Sequence, residues 1–139
     1  MSDNEYPNRE WLVRDVGDAM TDDNWKQVVY FDDDEEKGLI FNIQKGWFSK
    51  KTTMNLYGFS RQPHSPENGQ YRIDKKGAKN FLPENSKENN FLFIDDKSEK
   101  QIVSKAAKAK RLLLRFRNDT WEVDMTGFGA CYEAAKKAL

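Results

Sequence analysis

The sequence predicts an α+β domain, a mainly antiparallel β-sandwich or strongly curved sheet with two helices in the C-terminal third. Three observations lead there. Apolar and polar residues alternate with the period of a half-buried strand through most of the first two thirds, and the spacing lengthens to that of a helix at residues 98–109 and again at 127–139. Aromatics supply the core: 9 Phe, 5 Tyr and 4 Trp make up 13% of the chain, so a mean hydropathy of −0.93 does not signal disorder. At 139 residues the chain has the length of one domain, 1–139, able to bury about 70% of its unfolded surface, with residues 1–10, MSDNEYPNRE, read as a flexible N-terminus.

The elements follow in order. Residues 11–15 and 26–32 are strand-like, the second through Val28, Val29, Tyr30 and Phe31, with the turn-rich GDAMTDDN between them. Residues 38–45 form a third strand with Leu39, Phe41 and Ile43 on one face, and residues 52–59 a fourth through Met54 and Leu56. The loop joining them, KGWFSKK, places Trp47 and Phe48 at a hairpin end, where they either fold back onto the sheet or anchor a partner. YRID at 71–74 is a short strand, a polar Lys- and Asn-rich stretch follows, and residues 90–94 resume β character.

Residues 98–109 carry Ile102, Val103, Ala106 and Ala107 at helical spacing, with Ser98 as the expected N-cap and Gln101 completing a capping box. Residues 110–117 then alternate, Leu112, Leu114 and Phe116 inward and Arg111, Arg115 and Arg117 outward. Trp121, Val123 and Met125 form the hairpin partner across a turn at Asn118 and Asp119. In the last segment Phe128, Cys131, Tyr132, Ala135 and Leu139 share one helix face that must pack on something apolar.

Charge is balanced in sum, 23 basic against 23 acidic side chains, and polarised in order. Residues 1–36 hold 12 acids against 3 bases, a net −9, and the remainder carries the matching +9. Asp32, Asp33, Asp34, Glu35 and Glu36 form an unbroken acidic run, expected to lie in solvent as a turn between two strands because like charges this close repel. Beyond a solvated loop tip, such a run suits cation binding or imitation of nucleic-acid phosphates, although it lacks the spacing of an EF-hand. Lys105, Lys108, Lys110, Arg111, Arg115 and Arg117 form the basic counterpart, whose alternative to a solvated face is phosphate neutralisation on nucleic acid.

Several chemistries find no constellation. Cys131 is the only cysteine, which sets aside disulfide scaffolds and Cys-rich zinc sites and fits a reducing compartment; on its helix face it reads as core rather than nucleophile. His64 stands alone in the Pro-bounded SRQPHSPENG and reads as loop. Gly127 and Gly129 lack the pattern of a phosphate loop. No basic start with an apolar run and no stretch of about 18 apolar residues suggests a signal peptide or a membrane span. The expectation is therefore no cofactor, no metal and no enzymatic activity.

Trp11 opening a strand, DAMTDD at 18–23, a meander, YRID at 71–74, a helix with KAAKAKRLLLRF and the closing WEVDMTGFGACYEAAKKAL come in a recognisable order. The order resembles a bacterial and phage β-sandwich group that includes the invasion-associated locus B proteins and the accessory lipoproteins of type VI secretion. Those proteins similarly open with Trp and an Asp-rich turn and close with an aromatic strand, a Gly-Phe turn and a short amphipathic helix. The similarity spans residues 11–139 and implies a sandwich. Many members are exported and several carry a cysteine pair that this chain lacks, so the version it implies is cytoplasmic or phage-encoded. Arg72 and Asp74, two apart, are expected on one strand face, pairing with Asp18 or Asp22 and a basic strand neighbour.

Together these readings predict a non-enzymatic cytoplasmic protein that docks on a host protein, such as a defence component, and modulates or inhibits it through Asp32, Asp33, Asp34, Glu35, Glu36, Trp47 and Phe48. The alternative is a nucleic-acid-binding accessory protein using Lys105, Lys108, Arg111, Arg115 and Arg117. No membrane partner is expected.

Overall fold

The computed structural model describes residues 10–18, 23–45, 50–58, 69–81, 83–85, 91–116 and 119–139. In chain order the elements are β1 (Trp11–Asp18), β2 (Asp23–Asp32), β3 (Lys37–Lys45), β4 (Lys50–Tyr57), β5 (Gly69–Ile73), β6 (Lys79–Phe81), β7 (Pro83–Asn85), β8 (Phe91–Ile94), α1 (Asp96–Ala106), β9 (Arg111–Phe116), β10 (Asp119–Asp124) and α2 (Phe128–Lys137). The predicted α+β class holds, with both helices in the C-terminal third. Strand pairing is antiparallel throughout, in a six-stranded sheet ordered β1-β2-β3-β4-β8-β7 and a four-stranded sheet ordered β10-β9-β5-β6.

The two sheets share one core in a sandwich-like arrangement. β6 pairs with β5 and β7 with β8, so the chain has passed from one sheet to the other between Phe81 and Pro83. At the opposite edges β1 meets β10: Trp11 Nε1 donates to the Asp124 carbonyl at 2.8 Å, and the Tyr30 and Trp121 rings lie 6.0 Å apart. The period-two pattern fills the interior. Leu39, Phe41 and Ile43 stand beside Met54 and Leu56, and Leu112, Leu114 and Phe116 beside Trp121 and Val123, all buried. Phe128 of α2 enters this core, its ring 4.8 Å from Trp11 and 4.9 Å from Phe41. Each such aromatic contributes about 1.5–3 kcal/mol by leaving water.

Several expectations are corrected. β1 and β2 run further than predicted, to the pair Asp18 and Asp23, which leaves residues 19–22 of the turn-rich connection outside the described set. Two short strands, β6 and β7, replace the predicted polar stretch; three residues are too few to display a period, and Pro83 opens an edge strand, the place in a sheet where proline is tolerated. The cap of α1 is Asp95, not Ser98: the Asp95 carboxylate accepts the Ser98 N–H at 3.1 Å, and the Ser98 hydroxyl reaches the Asn80 carbonyl at 3.4 Å. Asp119 pairs with Phe116 and so opens β10 instead of turning with Asn118.

Asp74 falls past β5 at φ 52, and its Oδ1 accepts the backbone N–H groups of Lys110 and Arg111, both at 3.0 Å. Arg72 donates to the carbonyls of Lys76 and Lys75 at 2.8 and 3.3 Å. The two residues thus fix the turn after β5; Asp22 and the Asp18 side chain, the acidic partners expected for them, lie outside the described residues. No helix among the described residues is long and apolar enough to cross a membrane.

Candidate binding site

The acidic run is the turn between β2 and β3, as predicted, with Asp32 paired to Lys37 and residues 33–36 between them. Asp33, Asp34, Glu35 and Glu36 are exposed. Asp32 is not: it is 4% exposed, which corrects the expectation that the whole run lies in solvent. Its Oδ1 accepts the N–H groups of Asp34 and Glu35 at 3.1 and 3.3 Å, and its Oδ2 accepts Trp121 Nε1 at 3.1 Å from the other sheet. Three donors replace the water that this carboxylate gives up.

Neighbours hold the turn from every side. The Glu36 N–H closes on the Asp33 carbonyl at 3.3 Å with Glu36 at φ 55, a left-handed conformation unusual for a side-chain-bearing residue. Behind it Gly58 approaches so closely that a Cβ there would sit 2.2 Å from the Glu36 carbonyl oxygen. Lys37, 6% exposed, places Nζ 3.1 Å from Asp119 Oδ2 and 3.5 Å from the Glu35 carbonyl. Nothing in the sequence marks Trp121, Lys37 or Gly58 as supports of this turn, since each lies on another strand or inside an ordinary alternation.

From the turn a cleft of about 810 Å³ runs along the seam between the sheets, with Tyr30, Asp32 and Glu35 at one end and Lys110 and Arg111 at the other. Trp121, Glu122 and Asp124 of β10 also line it. Arg111 Nη1 meets Glu122 Oε1 at 3.1 Å, and Asp124 Oδ1 accepts the Thr126 N–H at 2.9 Å. The cleft is thus a polar groove lined by both signs of charge, whose carboxylates hold neighbouring donors. Among the described residues no three His, Cys, Asp or Glu side chains converge as a metal site.

Of the residues predicted to form a basic face, Lys105 lies on α1 and Arg111 and Arg115 on the outward side of β9. Arg111 and Arg115 lie on β9, the first on Glu122 and the second donating from Nε to Thr120 Oγ1 at 3.1 Å. Lys105 lies in the last turn of α1, where the influence of Lys79 first, and then burial and Lys76, pushes its pKa down. Lys76 and Lys79 escaped the sequence reading because KKGAK at 75–79 stands far from Lys105 in the chain. Trp47, Phe48, His64 and Arg117 lie outside the described residues.

Two further titratable groups sit at the junction of the helices. Glu99 on α1, 4% exposed, has its carboxyl pushed up to about 7 by burial and then by Asp96, with Lys100 opposing. Nearby, the Tyr132 hydroxyl lies 2.6 Å from Thr52 Oγ1, and burial raises its pKa. Cys131 is half-buried on α2 with Sγ 3.7 Å from the Trp11 carbonyl; burial, then Glu10, pushes the thiol up, away from the thiolate.

No family model matches the chain, and no curated protein or solved structure is significantly similar to it. The resemblance in motif order therefore rests on the residues quoted for it.

Proposed function

We propose that the chain is a cytoplasmic, non-enzymatic binding protein that docks on a host protein and modulates or inhibits it. The contact is the turn at residues 33–36 with the adjoining cleft, to which the sequence reading adds Trp47 and Phe48 as aromatic anchors. One observation carries this reading: four exposed carboxylates stand on a turn fixed from beneath by the Asp32–Trp121 hydrogen bond. A turn already held in one shape loses little freedom on binding, and a concentrated negative field steers a basic partner surface toward it.

The test is a parallel pull-down from nuclease-treated bacterial lysate with the wild-type chain and with D33N/D34N/E35Q/E36Q, followed by calorimetry on the recovered partner. A stoichiometric partner held by the wild type and weakened about tenfold or more by the variant is expected, since several charge pairs are lost together. Equal recovery by both proteins, or none by the wild type, overturns the reading.

A further inference from the structure

β10 is an edge strand lying along the cleft, and hydrogen bonds on either side of β9 fix which of its backbone groups face outward. In an antiparallel pair, opposed residues alternate between exchanging both backbone bonds and exchanging none. The Met125 N–H donates to the Lys110 carbonyl at 3.0 Å, so Val123 and Trp121, two and four positions earlier, bond to Leu112 and Leu114 of β9. The Asp74 N–H donates to the Arg111 carbonyl at 3.0 Å, which turns Arg111 toward β5 and away from Asp124, the residue opposite it. Thr120, Glu122 and Asp124 therefore aim their N–H and C=O groups away from β9. The Asp124 carbonyl, which accepts Trp11 Nε1 at 2.8 Å, agrees.

Among the described residues no hydrogen bond reaches the backbone of Thr120 or Glu122 at that edge, and both residues line the cleft of about 810 Å³. The other edges are less open: β6 and β7 have three residues each, β7 opens with Pro83, and β1 packs against α2. β10 has six residues and no proline. Charge marks its two ends. At the start of β10, Asp119 holds Lys37 at 3.1 Å and Trp121 holds Asp32, which brings Glu35 to that end of the cleft. At the other end, opposite Met125, stands Lys110. Both side chains are exposed, and among the described residues neither forms an ion pair.

A row of donors and acceptors at strand spacing is matched by another extended backbone, and charges at its two ends set the direction of that backbone. Antiparallel pairing is the more stable per residue. We propose that the partner enters this cleft as an extended segment that adds to β10 as an antiparallel strand, with an acidic side chain at its N-terminal end on Lys110 and a basic one at its C-terminal end on Glu35. This rests on the docking reading above and names the element of the partner that is bound. Trp11 occupies the Asp124 carbonyl and stops the ladder there, so the backbone bonds are confined to the residues opposite Thr120 and Glu122.

The test is fluorescence anisotropy with the full chain and the labelled peptide acetyl-ETVTVTK-amide. Saturable binding is expected, and the reversed charge order, acetyl-KTVTVTE-amide, should bind about tenfold more weakly. N-methylation of alternate peptide amides separates strand addition from charge attraction: the set that faces β10 should weaken binding about tenfold or more, and the other set should leave it in place. Thr120→Pro, folded by circular dichroism, removes one outward N–H without touching the β9 ladder and should act like the first set. Thr120→Val keeps that N–H and should bind as the wild type does. No binding of the first peptide, tighter binding of the reversed one, or equal effects of the two methylated sets overturns strand addition. A protein partner that D33N/D34N/E35Q/E36Q releases and Thr120→Pro retains also overturns it, while leaving the docking reading in place.

Discussion

Asp32 at the β2–β3 turn and Glu99 at the junction of α1 and α2 are both 4% exposed, yet their surroundings treat them in opposite ways. Three N–H donors converge on Asp32, two from its own turn and one from an indole in the other sheet. Around Glu99, desolvation dominates and Asp96 adds to it, so the proton is held to about pH 7. Equal burial thus comes in two kinds here, one with donors brought against the carboxyl group and one in which desolvation dominates. Asp32 is buried with three N–H donors against it, whereas Glu99 changes its charge near neutrality.

Removing the Asp32 carboxylate is the strongest way to break this comparison. Asp32→Ala leaves the Trp121 N–H and two turn N–H groups without their acceptor and should cost about 3–5 kcal/mol in urea unfolding, with Asp32→Asn recovering part of it. At Glu99 the sign runs the other way. Its pKa is raised in the folded state from 4.5 to about 7, so its contribution is fully present below pH 4.5 and is lost as pH rises through 7. The wild type should lose up to about 3 kcal/mol across that window, and Glu99→Gln should flatten the pH dependence and be the more stable protein at pH 8.

Smaller effects sharpen the role of the turn. Glu36→Gly relieves the left-handed backbone at φ 55 and should raise stability by about 0.5–1 kcal/mol in the same titration. D33N/D34N/E35Q/E36Q should change stability by less than about 0.5 kcal/mol, because these side chains are exposed and the anchor beneath them is intact. A large loss in this variant would mean that the outer carboxylates, and not Asp32, hold the turn.

The strands that alternate over six residues or more were legible in the sequence, as were the acidic turn and the buried face of α2, because each is a local period or a local charge pattern. β6 and β7 were not, being too short to show one. The charged regions were read correctly where neighbours in sequence are neighbours in space, as at residues 33–36. They were misread where a distant donor decides the matter: Trp121, 89 positions from Asp32, takes that carboxylate out of solvent. Likewise Arg111 and Arg115 take partners on β10, Glu122 and Thr120, which the order of residues along β9 does not show.

The seam between β1 and β10 also governs the order in which this protein can fold. Trp11 finds its acceptor on Asp124, 113 positions later, so a chain emerging from its N-terminal end can pair β1 through β4 early but cannot close its core until the β9–β10 hairpin exists. Until then the edge of β1 and the aromatic inner face of the meander stay open to other chains. Folding should accordingly be slow for a protein of this length, and nascent chains stopped before β10 should be the species that aggregate and engage chaperones.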